Sequence, residues 1–513
     1  MDRTEATTYE RRWKILAVLA LSLLIIGLDN TVLNVALPTL QTHFSASGST
    51  LQWIVDAYLL SFAGVLLTMG TLGDRFGRKR ALQLGLVLFG LASVLAAFAQ
   101  NADQLIALRA AMGIGGAMIM PATLSVIMDV FPREERAKAI GIWSAIAGVG
   151  IGLGPFVGGL LLEWFSWSSV FWLNVPIVVV ALVAGFVLVP ESRDPRPGAF
   201  DLPGAGLSIA TLVTLVYGII EATPRGWSDP LVLGCFAAAG LLAMAFVRWE
   251  LRAPSPMLPL GFFHDPRFTV ASAAVGLVFF AMMGSVFAFT QFLQFAHGFS
   301  ALEAGAAMLP LALGLVLGAG ASEKLAGRFG RTRVIAGGLI GVGAVLSSSL
   351  AWSVEMAPVL LGLVSFGLAV SMGSVMAPAT AAVMSAVPEA KAGVGSAMSD
   401  VTRQVGGALG VAVVGSIIGS AYSRDMEGSP EAAGESIGAA HALAQHVGGS
   451  AGTELAGTAG RAFTDALGIG LTAAAVAAFA GAVLVLRRLP DSGRESAALP
   501  APASAAAAPA MAP

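Results

Sequence analysis

Apolar runs about as long as a bilayer is thick recur along nearly the whole chain, and short polar turns separate them. A helix needs about 20 mainly apolar residues to cross a membrane. Inside lipid its backbone N–H and C=O groups must find partners within the segment, which leaves little besides helices for a chain of this kind. On that criterion the sequence predicts about fourteen spans, near 14–37, 52–72, 80–100, 104–128, 138–162, 169–189, 203–222, 230–248, 268–296, 302–322, 334–352, 357–386, 396–421 and 465–487. An even count puts both termini on one side.

Charge placement tests the count. Gly70–Leu82, G-T-L-G-D-R-F-G-R-K-R-A-L, joins the second and third spans with four positive charges, Arg75, Arg78, Lys79 and Arg80. Such a loop belongs on the cytoplasmic side, and with it the N-terminus. Of the 29 Lys and Arg residues, Arg225, Arg424 and Arg461 then fall outside and Arg109 and Arg403 within helices, while all others lie in or beside cytoplasmic segments. A miscounted helix would destroy that asymmetry.

Composition agrees: 56% of the 513 residues are hydrophobic and 12% charged, which excludes an ordinary soluble enzyme. The net charge of −2 is uninformative, because placement matters here. The single Cys235 excludes an intramolecular disulfide and argues against a metal–thiolate site; no metal site is expected. The first apolar stretch is too long for a signal-peptide core, so it reads as a retained helix.

The basic loop carries more than charge. Gly73 and Gly77 allow close approach of helix ends, and Asp74 and Arg78 are spaced to pair. Leu325–Arg333, L-A-G-R-F-G-R-T-R, repeats the pattern about 250 residues later, as an internal duplication would. The loop resembles that between helices 2 and 3 of the major facilitator superfamily of secondary transporters. Leu105–Ala117, L-I-A-L-R-A-A-M-G-I-G-G-A, resembles its helix-4 motif, with Met112 where a Gln is common. Gly150–Gly159, G-I-G-L-G-P-F-V-G-G, is similar to the helix-5 exporter motif, in which Gly150, Gly154, Pro155, Gly158 and Gly159 are small or helix-bending. Phe171–Pro176 (F-W-L-N-V-P) and Arg403–Gly410 (R-Q-V-G-G-A-L-G) also match exporters. Together they resemble the fourteen-helix drug:proton antiporter branch, the EmrB/QacA type, from Trp13 to Arg488.

The resemblance implies an all-α integral membrane protein of two six-helix bundles with two inserted helices, around a central cavity that opens alternately to each side. The expected division is a cytoplasmic N-terminus (1–13), an N-terminal bundle (14–189), a linker (190–202), two inserted helices (203–248), a cytoplasmic loop (249–267) and a C-terminal bundle (268–487). The last contains an extracytoplasmic loop, 422–464, with one short helix, and a disordered cytoplasmic tail follows at 488–513.

Ionisable groups inside a bilayer are functional candidates by default. Asp29 lies in L-D-N-T-V-L-N-V-A-L-P, Asp56 in W-I-V-D-A-Y, and Arg109 in the fourth span. At 1.5 Å per residue all three are expected about 8–12 Å below the outer surface, as one cluster with excess negative charge for a proton or an organic cation. The plain alternative is a buried ion pair locking helices together. Depth points to Asp29 as the main proton carrier and to Asp56 as a source of charge selectivity; W-I-V-D also resembles members that export quaternary ammonium compounds and dyes. Asn34, Trp53, Tyr58, Gln291, Phe292, Gln294 and Phe295 are candidate cavity-lining residues, with Phe287 beside them, and lipid or core packing is an equal alternative. Asp129, at a helix C-terminus where the dipole disfavours an anion, is expected to pair with Arg78. Asp400 and Arg403 form an expected i,i+3 pair. Glu303, three residues after Ser300, is expected in a capping box.

The reading is a proton-driven exporter of amphipathic, cationic compounds in the cytoplasmic membrane, not an enzyme. It is expected to act as a monomer without cofactor or nucleic acid. No G-x-x-x-x-G-K-[ST] loop exists to bind ATP. The alternatives are a dedicated exporter of one endogenous metabolite or self-made antibiotic, and a transporter-like receptor that no longer transports; the latter would not need unpaired intramembrane acids.

Overall fold

The structure, a computed structural model, describes residues 3–193, 201–256, 258, 260–387 and 392–490. Most of the expected linker (194–200) and the tail beyond residue 490 lie outside them. Among the described residues, fourteen helices are long and apolar enough to span a membrane: α1 Tyr9–Phe44, α2 Gly48–Phe76, α3 Arg78–Ala96, α4 Ala102–Val130, α5 Glu134–Trp164, α6 Ser169–Leu188, α7 Leu202–Arg225, α8 Pro230–Glu250, α9 Pro266–Ala296, α10 Ala301–Phe329, α11 Arg331–Ala351, α12 Pro358–Ser385, α13 Ala397–Asp425 and α14 Gly449–Arg488. With an even number of spans, the start of α1 and the end of α14 lie on one face, here the terminal face, with the basic turns between α2 and α3 and between α10 and α11.

Packing repeats between the two halves. In the first, α1 lies along α5, α4 packs on α2 and α3, and α6 packs on α1 and α3. In the second, α9 lies along α13, α12 packs on α10 and α11, and α14 packs on α9 and α11. The joints repeat too. Gly77 (φ 121°) caps α2 and Gly330 (φ 89°) caps α10, both in the left-handed region that glycine alone adopts without strain. The halves meet through α2 against α13 and α5 against α10, while the inserted pair α7–α8 is seated through α7 on α2 and α13.

Those contacts are level-dependent. Away from the terminal face, α5 and α10 touch at Gly159 and Ala301, at Pro155 and Gly305, and at Gly152 and Ala312. One turn nearer the terminal face, Gly148 has open space beside it, and Val316, on the same side of α10 as Ala312, is 59% exposed. The bundles are therefore closed on the far face and parted toward the terminal face.

The 422–464 segment is more helical than expected. Glu431–Glu435 and Ile437–Val447 are both helical, and α14 begins at Gly449. Ala is the strongest helix former, so an Ala-rich segment can be helical without being apolar enough to read as a span.

Candidate functional site

The α5 motif holds the first half together. Gly150, Gly154 and Gly158 lie against the α1 backbone around Leu24, Leu28 and Val32, where a Cβ would collide. Pro155 has no N–H for the Ile151 carbonyl, and Thr31 of α1 donates its hydroxyl to that oxygen at 2.9 Å. The other face of the same motif, Pro155 and Gly159, meets α10. One helix thus packs closely both inside its own bundle and against the other.

Asp29 and Arg109, on α1 and α4, form an ion pair at 2.5 Å with both side chains 2% exposed. Asn174 of α6 donates to the other Asp29 oxygen at 3.1 Å and to Ser93 of α3 at 3.1 Å. Ser93 in turn donates to the Phe171 carbonyl at 2.8 Å. Arg109 also donates from Nε to the Ile54 carbonyl of α2 (3.3 Å), and its guanidinium lies 4.4 Å from the Tyr58 ring centroid. Five helices are tied together around one buried, charge-neutral pair. Sequence reading missed Asn174 and Ser93; a polar residue in an apolar span was the available signal for Asn174, and none marked Ser93.

Asp56 corrects the expected three-residue cluster. It is fully buried, and neither carboxylate oxygen has a hydrogen-bond partner. The physical reason is helical phase. Ile54 and Tyr58 turn toward Arg109, and Asp56 lies two residues from each, about 200° away around the helix. Its own face is the one on which Gln52 and Leu59 lie against Gly415 and Gly407 of α13 and Trp53 lies 6.0 Å from Tyr217 of α7. Asp56 therefore belongs to the seam between the bundles and the inserted helices, away from Arg109.

The candidate lining residues divide as well. Asn34 is buried; it donates to the Asn30 carbonyl at 3.2 Å and keeps an unpartnered Oδ1. Tyr58 is buried beside Arg109 with its hydroxyl unpartnered. Trp53 faces α7, not a cavity between the bundles. Gln291 and Phe287 line a cavity on the far face. The α9 backbone widens into a π turn at Phe292–Ala296, which aims the next side chains into far-face packing. Phe292 is sealed among Phe289, Trp352 and His297, Gln294 donates to the Val35 carbonyl of α1 at 2.9 Å, and Phe295 packs on His441. Phe292, Gln294 and Phe295 thus close the far face and do not line a cavity open to the terminal face.

At the terminal face Arg78 joins two helices, donating to Asp74 at 2.9 Å and to Asp129 at the end of α4. Gly73 lies against Ala81 at the start of α3. In the repeat Gly327 stands where the first half has Asp74, so the Asp74–Arg78 pair has no counterpart at that position. Asp400 and Arg403 pair at 2.8 Å, and Arg403 also donates to Thr380 of α12. Ser300 and Glu303 form both bonds of a capping box at the start of α10. This occupies Glu303 structurally.

The chain is 38% identical to the multidrug efflux pump LfrA of Mycolicibacterium smegmatis, over 94% of this chain and 98% of that one. It is 35% identical to the methyl viologen resistance protein SmvA of Salmonella typhimurium, over 81% of this chain and 84% of that one. It is 34% identical to the tetracenomycin C resistance and export protein of Streptomyces glaucescens, over 80% and 76%. Among solved structures, a bacterial homologue of the human lysosomal transporter Spinster, inward-facing and unoccupied, superposes with a TM-score of 0.65 at 19% identity, over 94% of this chain and 99% of that one. The sequence profile of the Major Facilitator Superfamily matches residues 19–411. With that match across most of its length, the chain belongs to the Major Facilitator Superfamily.

Proposed function

We infer that this chain exports amphipathic, cationic compounds across the cytoplasmic membrane in exchange for protons, with the terminal face cytoplasmic. The observation that carries the reading is the contrast between two buried carboxyl groups: Asp29 fully engaged with Arg109 and Asn174, Asp56 without any partner. An isolated charge buried at Asp56 would cost several kcal/mol. Asp56 is then the group that holds a proton while the far face is closed, and Asp29–Arg109 is the pair that rearranges as helices move. This replaces the division expected from depth alone, in which Asp29 was the main proton carrier. The relatives support export: two carry resistance in their names, and two carry efflux or export.

In the cycle, a compound enters between the parted bundles from the terminal side. Closure there brings the second bundle against the α2–α3–α4 end that Arg78 already holds together, and opening of the far face wets the α2–α13 seam, so that proton exchange at Asp56 follows the switch. The gradient, and no cofactor, supplies the driving force. The test is transport in inside-out vesicles, in which an imposed acid-inside pH gradient should drive uptake of a fluorescent organic cation and the cation should in turn release protons. Uptake insensitive to a protonophore would overturn proton coupling. The receptor reading fails if any uptake is seen.

A further inference from the structure

A cavity of about 640 Å³ opens on the far face, between α2, α7, α9, α13, α14 and the segment that follows α13. Three carboxylates line it, Glu427, Glu431 and Glu435, and no Lys or Arg does. None of the three carries a salt bridge among the described residues, and all are exposed. Its inner wall is of another kind. Phe287 and Phe463 give it apolar surface, and Gln52, which also lines it, is 3% exposed and has a side-chain oxygen with no hydrogen-bond partner. A buried amide oxygen left unsatisfied destabilises the fold unless something bonds to it.

The acidic segment is held over the cavity. Tyr422 donates to the Ala433 carbonyl at 3.0 Å, Ser423 to the Gly434 carbonyl at 2.8 Å, and Gln41 of α1 to the Ser436 hydroxyl at 2.8 Å. Glu431 and Glu435 thus sit on a short helix tied at its middle and its C-terminal end, close to where α1 and α13 emerge. The cavity also has a relation to the buried acid: Gln52 is one helical turn from Asp56 on the same face of α2.

We propose that this cavity is a second binding site, separate from the Asp29–Arg109 pair, for an amphipathic organic cation that also carries a hydrogen-bond donor. The donor meets the Gln52 oxygen, the ring system lies against Phe287 and Phe463, and the positive charge sits in the field of the three glutamates. Aromatic faces attract a cation as well as burying its apolar surface. The site is at the far end of the path along which the proposed function moves a cation. It holds the compound there after release and before dilution into the medium. The proposal concerns binding, so it stands or falls apart from the direction of transport.

The probe is ethidium, a fluorescent cation with amino donors, titrated into the purified full-length protein in nanodiscs of uncharged lipid. The wild type should show two classes of site. In E427Q/E431Q/E435Q one class should weaken roughly tenfold and the other should not move, since exposed charges each contribute modestly but act together. Gln52→Leu should weaken that same class about threefold, as loss of one neutral hydrogen bond does, with all three charges kept. An anionic dye of similar size should not compete for it. The proposal is overturned if the triple variant's titration superimposes on the wild type's, or if Gln52→Leu weakens only the class that the glutamates leave untouched. A glutamate-sensitive class found alone would sustain the site and count against cation export through the central pair.

Discussion

Asp29 of α1 and Arg109 of α4 are joined by a 2.5 Å ion pair from which water is almost wholly excluded. Breaking a buried pair by removing one partner leaves an uncompensated charge, at a cost of about 3–5 kcal/mol. Asp29→Asn and Arg109→Gln should each lower stability by that order in detergent, read by thermal unfolding. The double variant should lose much less than the sum of the two single losses, because no charge is then stranded. All three should fail to export. Additive losses in the double variant would show that the two side chains do not act as a pair.

Thr31→Val tests the α1–α5 seam. The Ile151 carbonyl, deprived of an N–H by Pro155, accepts the Thr31 hydroxyl at 2.9 Å. Valine keeps the shape and strands that oxygen, so the variant should lose about 1–3 kcal/mol. Unchanged unfolding temperature would mean that water or another donor already serves Ile151.

Arg78 connects Asp74 to Asp129 at the terminal face, on the far side of the molecule from the acidic cavity. Asp74→Asn should slow export of every compound by a similar factor, since it alters closure and touches no substrate. Transport rates for three dissimilar dyes give the answer; a changed order among them would refute the latch.

Sidedness follows from the charge distribution. In a Cys235→Ser background, Arg80→Cys and His446→Cys are exposed labelling sites on opposite faces. A membrane-impermeant maleimide applied to intact cells should label the second and spare the first. Labelling of both, or of Arg80→Cys alone, would invert or break the topology.

Much of the fold was legible because its determinants are local. Span length, the basic turns and the Gly77/Gly330 repeat are each contained in a few consecutive residues. The fourteen spans therefore emerge from apolar windows, with ends displaced where polar helical turns continue them, as at Gly449. Rotation of one helix about its axis is different, since it depends on which neighbours it meets. Depth alone put Asp56 beside Arg109, whereas α2 directs Ile54 and Tyr58 there and turns Asp56 to α7 and α13. Phe292 was hidden for the same reason, because a π turn shifts the phase of everything after Gln291. Asn174 was visible only as part of F-W-L-N-V-P; its link to Asp29 joins residues 145 positions apart.

Asp56 gives the sharpest separation of proton handling from substrate handling. Its two oxygens lack partners, so the isosteric Asp56→Asn, which mimics a permanently protonated carboxyl, introduces no new buried charge and should fold with little loss of stability. It should also leave the Asp29–Arg109 pair undisturbed, being on the opposite side of α2. Inside-out vesicles carrying this variant should therefore still exchange labelled for unlabelled cation at equilibrium. They should lose accumulation driven by a pH gradient, by tenfold or more, together with cation-induced proton release. Asp29→Asn should by contrast lose exchange as well, because it damages the structure that closes around the compound. If Asp56→Asn retained uphill accumulation, the proton would have to be carried elsewhere. If it lost exchange in parallel with accumulation, Asp56 would be contacting substrate, and the separation drawn from the phase of α2 would be wrong.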